Sequence, residues 1–354
     1  MSGASPAHLG SGLVMTVTGP VPVGDLGVTL MHEHLLNDCA CWWNAPGPDR
    51  AHLADAPLAP GILWELRQDP FVNRENLALD DAAAAVDELG LAMREGCRSV
   101  VDPTCRGIAR NPAGLRRIAE ATGLQIVMGA GYYLQSSHPP EVAALSAGEI
   151  AAQITREAVE GVDGIRIGLI GEIGVSAEFT ADECKSLQGA AQAQVTTGLP
   201  LMVHLPGWFR LGHQVLDLVE AEGADPAHTV LCHMNPSHMD FAYQAGLAAR
   251  GAFIEYDMIG MDYFYADQQV QCPDDEAAAR AILCLIEAGW GDQILLSQDV
   301  FLKMMLTRHG GNGYAHVLRH FLPRLMRHGL DADAARALVT DNPARVFGSD
   351  IKGS

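Results

Sequence analysis

Lysine is almost missing from this chain: Lys185, Lys303 and Lys352 are the only three in 354 residues. Basic residues total 23 against 43 acidic ones, a formal net charge of -20. That charge repels phosphate backbones and anionic headgroups, so neither nucleic acid nor a membrane surface is an expected partner. No apolar run reaches the ~18 residues of a spanning helix, and Met1 to Pro6 shows no basic stretch leading into an apolar one. A cytoplasmic location is the expectation. The eight cysteines (Cys39, Cys41, Cys97, Cys105, Cys184, Cys232, Cys272 and Cys284) are scattered, without the dense framework of a small secreted domain, and are expected to be reduced thiols. Cys39-Ala-Cys41 lacks the second close pair that a thiolate metal site needs. Also missing is a Gly-x-Gly-x-x-Gly opening a first strand–helix turn, which weighs against a doubly wound dinucleotide fold.

What is present is apolar and periodic. Hydrophobic residues make up 48% of the chain and charged ones 19%, enough to bury a large core and unlike a disordered composition. Eight short apolar runs recur: Val28–His34, Ser99–Cys105, Gln125–Tyr133, Ile167–Gly174, Leu199–Leu205, Thr229–Met234, Ala252–Met258 and Ile294–Val300. Stretches of helical period alternate with them: Asp81–Gly96, Pro112–Thr122, Ser146–Gly161, Thr180–Thr197, Gly212–Glu222, Ser237–Arg250, Pro273–Gly289 and Tyr314–Arg327. Eight strand–helix units predict an α/β fold, a (β/α)8 TIM barrel spanning about 27–348 as a single domain. An N-terminal arm, 1–26, precedes it. A Pro- and Trp-bearing insertion from Cys39 to about Leu79 follows the first strand, where it can wall the C-terminal face on which barrels keep their sites.

Polar residues cluster where the apolar runs end. His32 and His34 are two apart, a spacing that puts both imidazoles on one side of a strand. His204 and His233 each end an apolar run, and Asp299 and Glu172 are carboxylates in places where burial is costly without a cation or strong donors. Four imidazoles and two carboxylates at the strand ends of one barrel predict a metal centre, and nitrogen–oxygen ligation suits zinc and related divalent ions.

The ligand order is similar to that of the phosphotriesterase family of the amidohydrolase superfamily. The likeness runs from Val14 to about Gly348 and includes Thr16–Pro22, Leu30–His34, Gly129–Tyr133, Gly171–Gly174, Val203–Gly207 and Asp341–Arg345. The resemblance implies two divalent metal ions, with Zn expected and Mn, Co or Fe as alternatives. His32, His34 and Asp299 would hold the buried ion and His204 and His233 the exposed one, bridged by the strand-four residue and a hydroxide. The family's founding enzymes bridge with a carboxylated lysine where this chain has Glu172, as some phosphotriesterase-related proteins do. With no lysine in that run, a carbamate bridge is excluded.

The expected activity is metal-dependent hydrolysis of a small ester, lactone or amide. Asp299 would also be catalytic, taking the proton of the attacking water. Phosphotriester hydrolysis, and small-molecule binding at a vestigial metal site, are the alternatives. Tyr133, Trp208, Tyr256 and Met258 are candidate substrate contacts in an aromatic pocket. Arg106 is expected in a salt bridge, and His138 and His238 facing solvent or behind the ligands. A homodimer acting on a small-molecule substrate completes the expectation.

Overall fold

The computed structural model describes residues 12–348. The first eleven residues of the expected arm lie outside that range. Eight parallel strands form the wall: β1 (Val28–Leu30), β2 (Cys97–Asp102), β3 (Gln125–Met128), β4 (Ile170–Gly174), β5 (Leu201–His204), β6 (Thr229–Leu231), β7 (Phe253–Tyr256) and β8 (Ile294–Leu296). β1, β2 and β3 form one ladder, and β4 to β8 another. Backbone bonds past the ladder ends join the two: Gly168 N to Met128 O (3.0 Å) on one side, and Asp299 N to His32 O (3.1 Å) with His34 N to Val300 O (3.2 Å) on the other. A TIM barrel results, as the sequence predicts.

The helices follow the strands in order: α1 (Ala82–Arg94), α2 (Pro112–Thr122), α3 (Ala147–Val159), α4 (Ala181–Thr197), α5 (Gly212–Ala221), α6 (Phe241–Ala249), α7 (Asp275–Glu287) and α8 (Leu322–Arg327). Their ends obey local chemistry. Ser146 and Thr180 each form a capping box with the glutamate three residues on, and Gly123 and Gly198 close α2 and α4 in the left-handed conformation. Residues 314–327, expected as one helix, begin with a 3-10 turn and a π turn at Val317–Phe321 before α8. Three short helices went unpredicted, Pro60–Leu66 in the insertion, α9 (Ala332–Ala337) and α10 (Asp341–Phe347), because six or seven residues hold too little period to read.

The barrel is filled, not hollow. Met31, Val101, Val127, Leu169, Met202, Val230, Phe253 and Leu295 pack in its lower interior with Val14 and Leu26 from the arm and Val346 from α10. A larger apolar layer lies between strands and helices. The insertion after β1 is tied down by a two-residue antiparallel bridge, Asn37–Asp38 with Ala78–Leu79, and lies over the C-terminal mouth. It shares that mouth with the loop after β7, whose small hairpin pairs Phe264–Tyr265 with Val270–Gln271.

Candidate metal centre

The six predicted side chains meet at the C-terminal mouth, all buried. His34 Nε2 lies 3.3 Å and His32 Nε2 3.6 Å from Asp299 Oδ1. On the other flank, Glu172 Oε1 is 2.8 Å from both His204 Nδ1 and His233 Nε2. Glu172 Oε2 reaches back to His32 Nε2 at 3.6 Å and His34 Nε2 at 3.8 Å, so one carboxylate spans both halves of the cluster.

The local backbone explains how the residues arrive there. The β1 ladder stops at Leu30, so His32 and His34 project from a segment that has left the strand. His204 is the last residue of β5, whereas His233 and Asp299 stand two and three residues past their strands in the left-handed region (φ +57° and +48°). Such backbone costs about 1–3 kcal/mol per non-glycine residue and persists where the surroundings enforce it. Glu172 is turned inward by a register irregularity between Ile170 and Ile173. Gly171 precedes it at φ +118°, and a Cβ there would stand 2.1 Å from Met202 O, so only glycine lets β4 and β5 approach this closely.

A second set of buried groups orients the imidazoles. His32 Nδ1 is 3.2 Å from Glu255 Oε2 and 3.3 Å from Asp257 Oδ2, and His233 Nδ1 is 3.1 Å from Asp257 Oδ1. Carboxylates only accept, so the proton sits on Nδ1 of both rings and Nε2 faces the centre. His34 is held by Thr104 Oγ1 at 2.7 Å from Nδ1. Glu33, between the two histidines, points away and accepts from Ser297 Oγ, Gln298 N and Val300 N, clamping β1 to the β8 loop that carries Asp299. Burial pushes its carboxyl up to about 7.

The cluster is electronegative. Burial alone would lower the His32 pKa, yet the surrounding anionic groups, Glu172 foremost, hold it well above the usual imidazole value. His233 is raised well above it too, against burial, by Asp257 and Glu172. His204 is lowered, by burial and by neighbouring His233. His32 Nε2 and Asp299 Oδ1 are buried with no hydrogen-bond partner. Orphaned lone pairs among carboxylates fit a divalent cation, and two three-residue sets, His32/His34/Asp299 and His32/Glu172/His233, have mutually close donor atoms.

A cavity of about 480 Å³ opens directly over this centre, within the range of small-molecule sites. Tyr133, Trp208 and Met258 line it. Tyr256 does not. It is fully buried on the opposite side of β7, its hydroxyl on Gln244 Oε1, because Glu255 and Asp257 take the inward positions and strand alternation turns Tyr256 outward. Phe71 and Phe301, which the sequence does not single out, join Trp42 and Tyr265 in the wall. Trp42 stacks on Phe71 with centroids 5.5 Å apart and donates to Tyr133 Oη. Arg106 pairs with Glu157 on α3, His138 stands behind Tyr133 on its carbonyl, and His238 bonds the Asn235 carbonyl.

The profile of the phosphotriesterase family matches residues 12–347. The chain belongs to the phosphotriesterase family. An N-acetyltaurine hydrolase from Salmo salar is 33% identical, covering 95% of this chain and 97% of its own. Among solved structures, a resiniferatoxin-binding protein from Rhodobacter sphaeroides is 66% identical with a TM-score of 0.97 over the whole of both chains. A phosphotriesterase homology protein from Escherichia coli, complexed with phosphate in its active site, is 26% identical with a TM-score of 0.76, covering 91% of this chain and 99% of its own. The family uses a binuclear divalent metal centre, and this member is a metal-dependent hydrolase with a cluster able to hold such ions.

Proposed function

We propose that this member hydrolyses a small carboxylic ester, lactone or amide with two divalent ions, zinc foremost, held by His32, His34, Glu172, His204, His233 and Asp299. The observation that carries the reading is the pair of orphaned buried atoms, His32 Nε2 and Asp299 Oδ1, facing each other at 3.6 Å beneath the cavity. The ions, when bound, lower the pKa of a water toward ~7 and polarise the substrate carbonyl.

The residues do the rest. Glu172 stands between the two halves of the ligand set and fixes their spacing. Asp299 Oδ1, at the floor of the cavity, accepts the proton of the attacking water and returns it to the leaving oxygen or nitrogen. Tyr133, Trp208 and Met258 hold the organic part of the substrate and keep bulk water out. Glu255 and Asp257 keep His32 and His233 in the tautomer that turns Nε2 to the centre. Residues 27–348 act as one domain, and the eight free thiols support a reducing, cytoplasmic setting.

A second reading, capture of a small molecule without turnover, draws support from the name of the Rhodobacter sphaeroides relative. Protein reconstituted with zinc or manganese and assayed on lactones, aryl esters and N-acyl amines tests both. Turnover that follows metal content is expected; binding without turnover in fully metallated protein would replace hydrolysis with the second reading.

A further inference from the structure

Among the described residues, the cavity wall holds no lysine or arginine. It is built from aromatic and aliphatic side chains, chiefly Trp42, Phe71, Trp208, Tyr265 and Phe301, and its acids are Glu172 and Asp299 at the floor and Glu178 at the exposed rim. Three cations on adjoining segments, Arg210, Arg106 and Lys185, are committed elsewhere. Arg210, next to the lining residue Phe209, bonds Asp240 Oδ2 at 3.1 Å and the carbonyls of Gly207 and Trp208. Arg106 is paired with Glu157, and Lys185 with Asp182 at 2.7 Å. Relatives named N-acetyltaurine hydrolase, such as that of Salmo salar, act on an amide whose amine half ends in a sulfonate. A sulfonate buried in this cavity would meet no lysine or arginine among the described residues, and a buried anion without a partner is strongly disfavoured.

We infer that this chain takes uncharged substrates with a bulky apolar or aromatic group attached to the scissile ester or amide, and rejects the anionic N-acyl sulfonates of its relatives. The inference rests on the proposed hydrolysis and sharpens it. Flat, stacked rings such as Trp42 on Phe71, with Phe71 against Tyr265 at 5.0 Å, favour aromatic or alicyclic groups by offset and edge contacts. The net charge of -20 adds a long-range field that repels anions from the mouth.

The test compares N-acetyltaurine with N-acetylphenethylamine, which replaces the sulfonate by a phenyl ring on the same two-carbon linker. Metal-loaded protein is assayed for kcat/KM on each, and binding of each is followed separately by quenching of tryptophan fluorescence, since Trp42 and Trp208 line the cavity. A preference of at least about 10²-fold for the neutral amide is expected in both readouts. Preference in binding with no turnover of either would uphold the ligand class and sink hydrolysis. N-acetyltaurine turned over or bound as well as the neutral amide would overturn the inference and leave hydrolysis standing. Failure of both compounds to bind or react would overturn it as well.

Discussion

The two ends of the barrel are built from the same strands and obey opposite rules. At the lower end, Met202, Val230, Phe253 and Leu295 pack with Val14, Leu26 and Val346 in one apolar cluster. Two residues further along, on β5 and β7, the buried positions become His204 and Glu255. There the backbone turns left-handed at His233 and Asp299, and polar atoms lie buried without partners. The lower end stabilises the barrel by apolar burial. The upper end spends stability to hold a chemically reactive arrangement, which is why barrel enzymes keep chemistry there.

Substitutions should separate the two ends. Asp299→Asn, which keeps the shape of the site and removes a base, should cut kcat by roughly 10²-fold or more with metal still bound, read by steady-state kinetics beside metal analysis. Near-normal turnover would reduce Asp299 to a ligand. Asp257→Asn should weaken metal affinity by about 10–100-fold, seen in titration against a competing chelator, while the fold survives. At the lower end Met202→Ala should cost about 2–5 kcal/mol in denaturant unfolding and leave kcat within a few-fold. If Met202→Ala instead abolished activity at full folding, the division between the ends would fail.

The smallest effect concerns the outer ring. Glu157 on α3 binds Arg110 at 2.7 Å as well as Arg106, anchoring the segment after β2. Burial would raise its pKa, but the two guanidiniums hold it below the ordinary 4.5. A depressed carboxyl contributes stability above its unfolded value and loses it as pH falls through the folded one. The stability gap between wild type and Glu157→Gln should therefore be constant near neutrality and shrink below pH 4.5. A gap that widened in acid would contradict the pairing.

The apolar runs and the alternation of helices made the barrel legible, because burial on both faces writes itself as continuous hydrophobic stretches. The ligand positions were legible for a related reason: His204, His233 and Asp299 interrupt or end those stretches, where a polar residue is costly. Glu255 and Asp257 carried the same signal inside the run Ala252–Met258 and were passed over for the aromatic between them. Had the two acids been read as inward, alternation would have turned Tyr256 outward at once. The cavity wall was harder, since Phe71 and Phe301 come from loops with no period to read and meet only in three dimensions. The π turn ahead of α8 likewise leaves no mark in the apolar pattern.

Metal content per chain tests the central claim most directly, measured by elemental analysis on wild type and Glu172→Gln grown with ample zinc or manganese. The account predicts two divalent ions in the wild type, and fewer, with lost turnover, in the variant, whose amide cannot hold both halves together. Wild-type protein free of divalent metal, or a variant with unchanged metal and activity, would contradict it.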